Sequence, residues 1–84
     1  MNIYMFTERQ RVILRQLRDK AIGEKKQFIE YALSNSLARN DIEIVCQMIN
    51  SEFLMNGINK DYSPTEYGRE LEGLLDVINR PRLR

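Results

Sequence analysis

"DIEIVCQMINSEFLMN", residues 41 to 56, would place apolar side chains around most of the circumference of a helix. Such a helix needs cover on more than one side. In a chain of 84 residues we therefore expect it to be the central helix of a bundle, or to form an oligomer interface as well. Met48, Phe53 and Met55 are predicted to lie on a surface for a partner or a second copy, because methionine and aromatic side chains suit adaptable contacts.

The segments around this helix also have apolar residues at helical spacing. Thr7 and Gln10 have the spacing of a capping box, which predicts a first helix over about 7–22, and Gly23 is the expected break. A second helix is predicted over about 24–39. Asn40 or Asp41 is the expected cap of the third helix, over about 41–56.

"SPTE", residues 63 to 66, is the clearest local start signal, with Ser63 as cap, Pro64 at the first helical position and Glu66 completing a capping box. It predicts a last helix over about 64–79, followed by a short basic tail at 80–84. The connections are short, which favours antiparallel neighbours. The sequence therefore predicts an all-α fold, a compact antiparallel bundle of three to four helices in a single domain over 1–84.

Two glycines, Gly68 and Gly73, lie inside the last predicted helix, where each costs ~1 kcal/mol relative to alanine. Glycine at such a position allows a close backbone approach. We therefore expect another helix or a partner to approach there, and we include both glycines in the predicted partner or self-association surface.

The chain has no histidine and one cysteine. This composition excludes Ser-His and Cys-His dyads and removes the commonest transition-metal ligand. Cys46 lies in an apolar run and is expected to be buried. Glu66 and Glu70 could approach other acids in an oxygen-rich metal site. Glu66 is better explained as the capping-box partner at the helix start, and Glu70 as a solvent-facing residue. The sequence therefore predicts no enzyme activity, no catalytic residue, no cofactor and no metal site.

Charge is unevenly distributed along the chain. Residues 1–40 carry eight Lys and Arg against four acids, and residues 41–79 carry two against eight. Arg11, Arg15 and Arg18 are predicted to form a stripe on the first helix. With the tail residues Arg80, Arg82 and Arg84 they could offer a surface to an acidic partner or to nucleic acid, although a solvated face explains them as simply.

"FTERQRVILRQL", residues 6 to 17, resembles the first helix of many helix-turn-helix regulators. The resemblance implies nucleic-acid binding, with the basic face of the first helix as the contact. The rest of the chain departs from the pattern, because the third helix has no Lys or Arg and carries Asp41, Glu43 and Glu52, which phosphates would repel. Nucleic-acid binding is therefore the alternative hypothesis.

The preferred interpretation is a small helical protein that acts by contact with another protein. We expect a regulatory or inhibitor-type module, of the size class of antitoxins, immunity proteins and phage or mobile-element inhibitors. The partner is a protein of unknown identity, and a homodimer is an open alternative. No apolar run is long enough to cross a bilayer and the opening residues lack a signal-peptide pattern, so a cytoplasmic location is expected.

Overall fold

Four α-helices make up most of the computed structural model, which describes residues 4–80. They are α1 (Glu8–Lys20), α2 (Lys25–Leu33), α3 (Ile42–Asn56) and α4 (Glu66–Asn79), and a short 3-10 turn, Arg39–Asp41, leads into α3. Within the described range there is no strand beyond an isolated bridge between Ile58 and Pro64. The predicted all-α helical bundle is confirmed. None of these helices is both long and apolar enough to cross a membrane.

All four helices contribute to one core. Helix α3 packs chiefly on α4, α1 packs chiefly on α2, and α2 also contacts α3. Cys46 of α3 is buried, as predicted. The largest fully buried side chains are Ile13, Leu14, Ile29, Leu37, Ile42, Val45, Ile49, Leu71, Leu74 and Ile78.

The start of the described chain closes one end of the bundle. Tyr4 is 4% exposed and stacks on Phe6 with ring centroids 5.2 Å apart. Its hydroxyl donates to the Ile78 carbonyl at 3.0 Å and its amide donates to Asn35 Oδ1 at 2.6 Å. Residues before α1 therefore join the end of α4 to the segment after α2, a packing role that helical periodicity does not reveal.

The predicted start of α1 is confirmed. Thr7 Oγ1 accepts from the Gln10 amide at 3.1 Å, and Gln10 Oε1 accepts from the Thr7 amide at 2.9 Å. The helix ends at Lys20, two residues before the predicted end, because Ala21 is extended. Gly23 follows in the turn with a φ of +65°, a conformation that glycine adopts without a steric penalty.

The predicted end of the second helix, near residue 39, is wrong, since α2 ends at Leu33. Asn35 has a φ of 58°, and the Ser36 amide donates to the Tyr31 carbonyl at 2.8 Å while the Asn35 amide donates to Ala32 at 3.2 Å. This pair of bonds is a Schellman motif with asparagine in place of the usual glycine. The chain turns early, and buried Leu37 reaches the core from an irregular segment.

Asp41 lies at the N-terminal cap position of α3, as predicted, but its side chain makes no capping hydrogen bond, and a 3-10 turn precedes the helix. The predicted cap of the fourth helix is wrong. Helix α4 starts at Glu66, and its cap is Thr65, whose hydroxyl accepts from the Gly68 amide at 2.9 Å. Ser63 is engaged by the Asp61 carboxylate, to which its amide donates at 3.1 Å and its hydroxyl at 2.6 Å. An aspartate two residues earlier therefore displaces the expected cap.

Candidate interaction groove

A groove of about 590 Å³ opens between α1 and the second half of α3. Its α3 wall consists of Met48, Ser51, Glu52 and Met55. These positions have the i, i+3, i+4, i+7 spacing of one helix face. Met48 is half-buried and packs against the core, whereas Met55 is 78% exposed. Side chains on this wall are therefore partly buried at Met48 and exposed at Met55, two helical turns later.

The opposite wall comes from the end of α1 and the turn after it. Leu17, Lys20 and Ala21 lie on this side, and Ile22 and Lys25 continue it around the start of α2. Ile22 is 86% exposed, so its side chain adds accessible apolar surface to this wall. The groove is thus an apolar surface with two lysines among its lining residues.

Glu52, on the α3 wall, is the only charged residue buried among residues 4–80, at 8% exposed. Its Oε2 accepts from Lys20 Nζ at 2.9 Å and from the Tyr67 hydroxyl at 2.8 Å. Its Oε1 accepts from Asn56 Nδ2 at 3.2 Å. Three donors therefore compensate the desolvation of this carboxylate, as a buried charge requires.

The electrostatics of this network keep Glu52 ionised. Burial acts to raise the pKa of Glu52, but the hydrogen bonds from Lys20, Tyr67 and Asn56 outweigh it and lower the pKa below its ordinary value. Burial and the same hydrogen bond raise the pKa of the Tyr67 hydroxyl, so that it stays a donor. The network joins α1, α3 and α4 and holds the two walls of the groove in register.

The predicted contact residues of α3 separate in space. Met48 and Met55 line the groove. Phe53 is half-buried, packs against the core and does not line the groove. Leu54 is 70% exposed and also lies outside the groove lining. Only part of the predicted surface is therefore brought together.

The two glycines of α4 have different surroundings. A Cβ on Gly68 would overlap the Gly57 carbonyl oxygen and come within 2.9 Å of the Gly57 carbonyl carbon. Gly68 is buried, so the close approach expected there occurs within the chain, against the residue that ends α3. Gly73 is exposed and has open space where a Cβ would be added. No described contact explains Gly73.

Part of the predicted basic surface is already paired. Arg18 donates to Glu30 at 2.6 Å and lies 3.4 Å from Asp19, and Arg80 pairs with Asp76 at 3.2 Å. Arg15 is exposed and Arg11 half-buried on α1. Arg82 and Arg84 lie outside the described residues.

Glu70, one of the two acids weighed for a metal site, is paired with an arginine. Arg9 donates to Glu70 in a two-bond pair, at 2.7 and 3.1 Å, which ties α1 to α4. The hydrogen bond from Arg9 lowers the pKa of Glu70. Across residues 4–80, no group of three or more His, Cys, Asp or Glu side chains is placed to hold a metal ion.

Sequence reasoning missed Glu52, Lys20 and Ile22 as parts of the site. The spacing of Met48, Ser51, Glu52 and Met55 was the available signal, because it puts a carboxylate on the same face as two methionines. The opposite wall had no such signal, since nothing local indicates which helix faces α3.

Comparison of the chain with protein-family models, with curated proteins and with solved structures gives no match.

Proposed function

We propose that this protein acts in the cytoplasm by binding another protein through the groove between α1 and α3, as a regulatory or inhibitor-type module. The observation that carries the proposal is the exposure of Ile22 and Met55, at 86% and 78%, on opposite sides of one concave surface. The pair between Lys20 and Glu52 joins the two sides of that surface, so the walls are formed before a partner arrives. Exposed apolar side chains grouped on one concave surface are typical of a contact with another protein.

Burial of these two side chains would contribute to binding. Covering a large aliphatic or methionine side chain is favourable by about 1.5–3 kcal/mol. Met48 and Met55 are unbranched, so they can adjust to the shape of a partner. The apolar lining therefore supports a protein contact better than it supports a polar small molecule.

Two neighbouring methionine and leucine positions offer a matched test. Met55→Glu places a charge in the groove, whereas Leu54→Glu places the same charge on the adjacent residue, which is similarly exposed but outside the groove. Both variants should keep the helical circular dichroism of the wild type. A partner isolated with the wild type and then purified should bind Leu54→Glu with unchanged affinity and Met55→Glu at least tenfold more weakly, as measured by calorimetry. Equal losses in both variants, or none in Met55→Glu, would overturn the assignment to the groove.

The same pair of variants tests self-association. If the partner is a second copy, light scattering should give a dimer mass for the wild type and Leu54→Glu, and a monomer mass for Met55→Glu. A wild-type monomer at high concentration would exclude the homodimer and leave a different protein as the partner.

A further inference from the structure

We propose that the segment bound in the groove is an acidic amphipathic helix supplied by a partner protein. This inference rests on the proposed function and specifies the chemistry of the partner. Its apolar face would lie against Met48, Met55 and Ile22, and its carboxylates would lie near Lys20 and Lys25.

The walls of the groove favour a helix over an extended peptide. The α3 wall runs from Met48 to Met55, seven residues, which corresponds to a length of roughly 10 Å at about 1.5 Å per residue. The α3 wall is a helix, so its amide and carbonyl groups are bonded within α3, and only the opposite wall includes non-helical backbone, at Ala21 and Ile22. An extended peptide would find no strand edge to pair with in this part of the described chain and would bury unbonded backbone groups. A helix bonds its own backbone and presents apolar side chains at i, i+3, i+4 and i+7.

The charges that line the groove favour a partner with carboxylates. They are Lys20, Lys25 and Glu52. The Glu52 carboxylate already accepts three hydrogen bonds, one of them from Lys20. Lys25 makes no ion pair with any residue in the described range. Its charge is therefore available at the rim, where it attracts an acidic side chain and repels a basic one.

The sequence neighbours of Lys25 provide an internal control. Glu24 and Lys26 flank it in the chain and are exposed, but neither lines the groove. Charge reversal at Lys25 changes the sign at the rim, and the same change at Lys26 alters the net charge of the protein equally without altering the groove. A difference between the two variants therefore reports position and not total charge.

A library of displayed peptides tests the proposal while the natural partner is still unidentified. The library holds helical peptides with apolar residues at i, i+3, i+4 and i+7 and flanking positions randomised among Asp, Glu, Asn, Gln, Lys and Arg. It is selected on the 84-residue chain, and clones that also bind Met55→Gln, which alters the apolar wall without adding a charge, are removed. We expect the remaining clones to carry acidic flanking residues several-fold more often than basic ones. Selection on Lys25→Glu should reverse this preference, and selection on Lys26→Glu should not.

Affinities of one selected peptide give the quantitative result. Fluorescence anisotropy should show binding about threefold to tenfold weaker to Lys25→Glu than to the wild type, and less than about twofold weaker to Lys26→Glu. Clones that need the groove but carry as many basic as acidic residues would overturn the acidic partner and leave the proposed function intact. If every clone selected on the wild type also binds Met55→Gln equally well, the groove itself fails as a binding site, and both proposals are overturned.

Discussion

Gly68→Ala adds one methyl group at a close backbone contact between α4 and Gly57, the residue that follows α3. The new Cβ would overlap the Gly57 carbonyl oxygen and lie 3.2 Å from the Gly57 Cα. The same carbonyl accepts the Thr65 amide at 2.8 Å, and Thr65 is the cap of α4. Because the obstacle is backbone, no change of rotamer can relieve the overlap, and α4 has to move away from Gly57.

The expected loss of stability follows from three contributions. Alanine gains ~1 kcal/mol over glycine as a helical residue. Overpacking against a rigid neighbour costs about 1–3 kcal/mol, and loss of the Thr65 hydrogen bond costs a further 0.5–1.5 kcal/mol or so. The free energy of unfolding should therefore fall by about 2 kcal/mol, which an 84-residue domain with roughly 4–13 kcal/mol of stability survives.

Gly73→Ala is the matched control, because it makes the same chemical change in the same helix with nothing within 4 Å of the new Cβ. It should raise the free energy of unfolding by about 0.5–1 kcal/mol. Urea denaturation followed by circular dichroism should then separate the two midpoints by roughly 2–3 M, for a slope of about 1 kcal/mol per molar. If Gly68→Ala were as stable as Gly73→Ala, the reasoning from the Gly57 contact would be refuted.

Two further predictions concern Glu52 and the loop before α4. Tyr67→Phe removes a hydrogen-bond donor to Glu52 and should lower the free energy of unfolding by about 1.5–3 kcal/mol at neutral pH. The network lowers the pKa of Glu52 below its ordinary value of 4.5. The stability that the ionised Glu52 contributes is therefore present above pH 4.5 and is lost as the pH falls through the lower pKa of the folded state. Denaturation should therefore show a smaller Tyr67→Phe penalty in acid, and an equal penalty at both pH values would contradict this role. Tyr62 has a φ of 68° and is 89% exposed. Tyr62→Gly should therefore raise the free energy of unfolding by about 1 kcal/mol, whereas Tyr62→Ala keeps the strained backbone and should not raise it. Equal denaturation midpoints for the two variants would argue against strain at this position.

Local signals predicted a helix start or end where the expected residues supplied it, and failed where another nearby residue took that role. The Thr7 capping box is formed by neighbouring residues, so it could be recognised from spacing alone, and α3 ends at Asn56, the predicted end. At the start of α4, Asp61 binds Ser63 and leaves Thr65 as the cap. At the end of α2, Asn35 adopts the left-handed conformation that is usual for glycine.

The sequence by itself determined the helical class of this protein, the burial of Cys46 and the absence of histidine chemistry, because these depend on composition and on periodicity along single segments. Only the tertiary structure decided which residues of different helices contact each other. Gly68 and Gly57 meet because α4 folds back on α3, and Lys20 reaches Glu52 across 32 positions in the chain. The groove exists for the same reason, since its two walls come from helices whose relative placement is set by the packing of the whole core and by no local pattern.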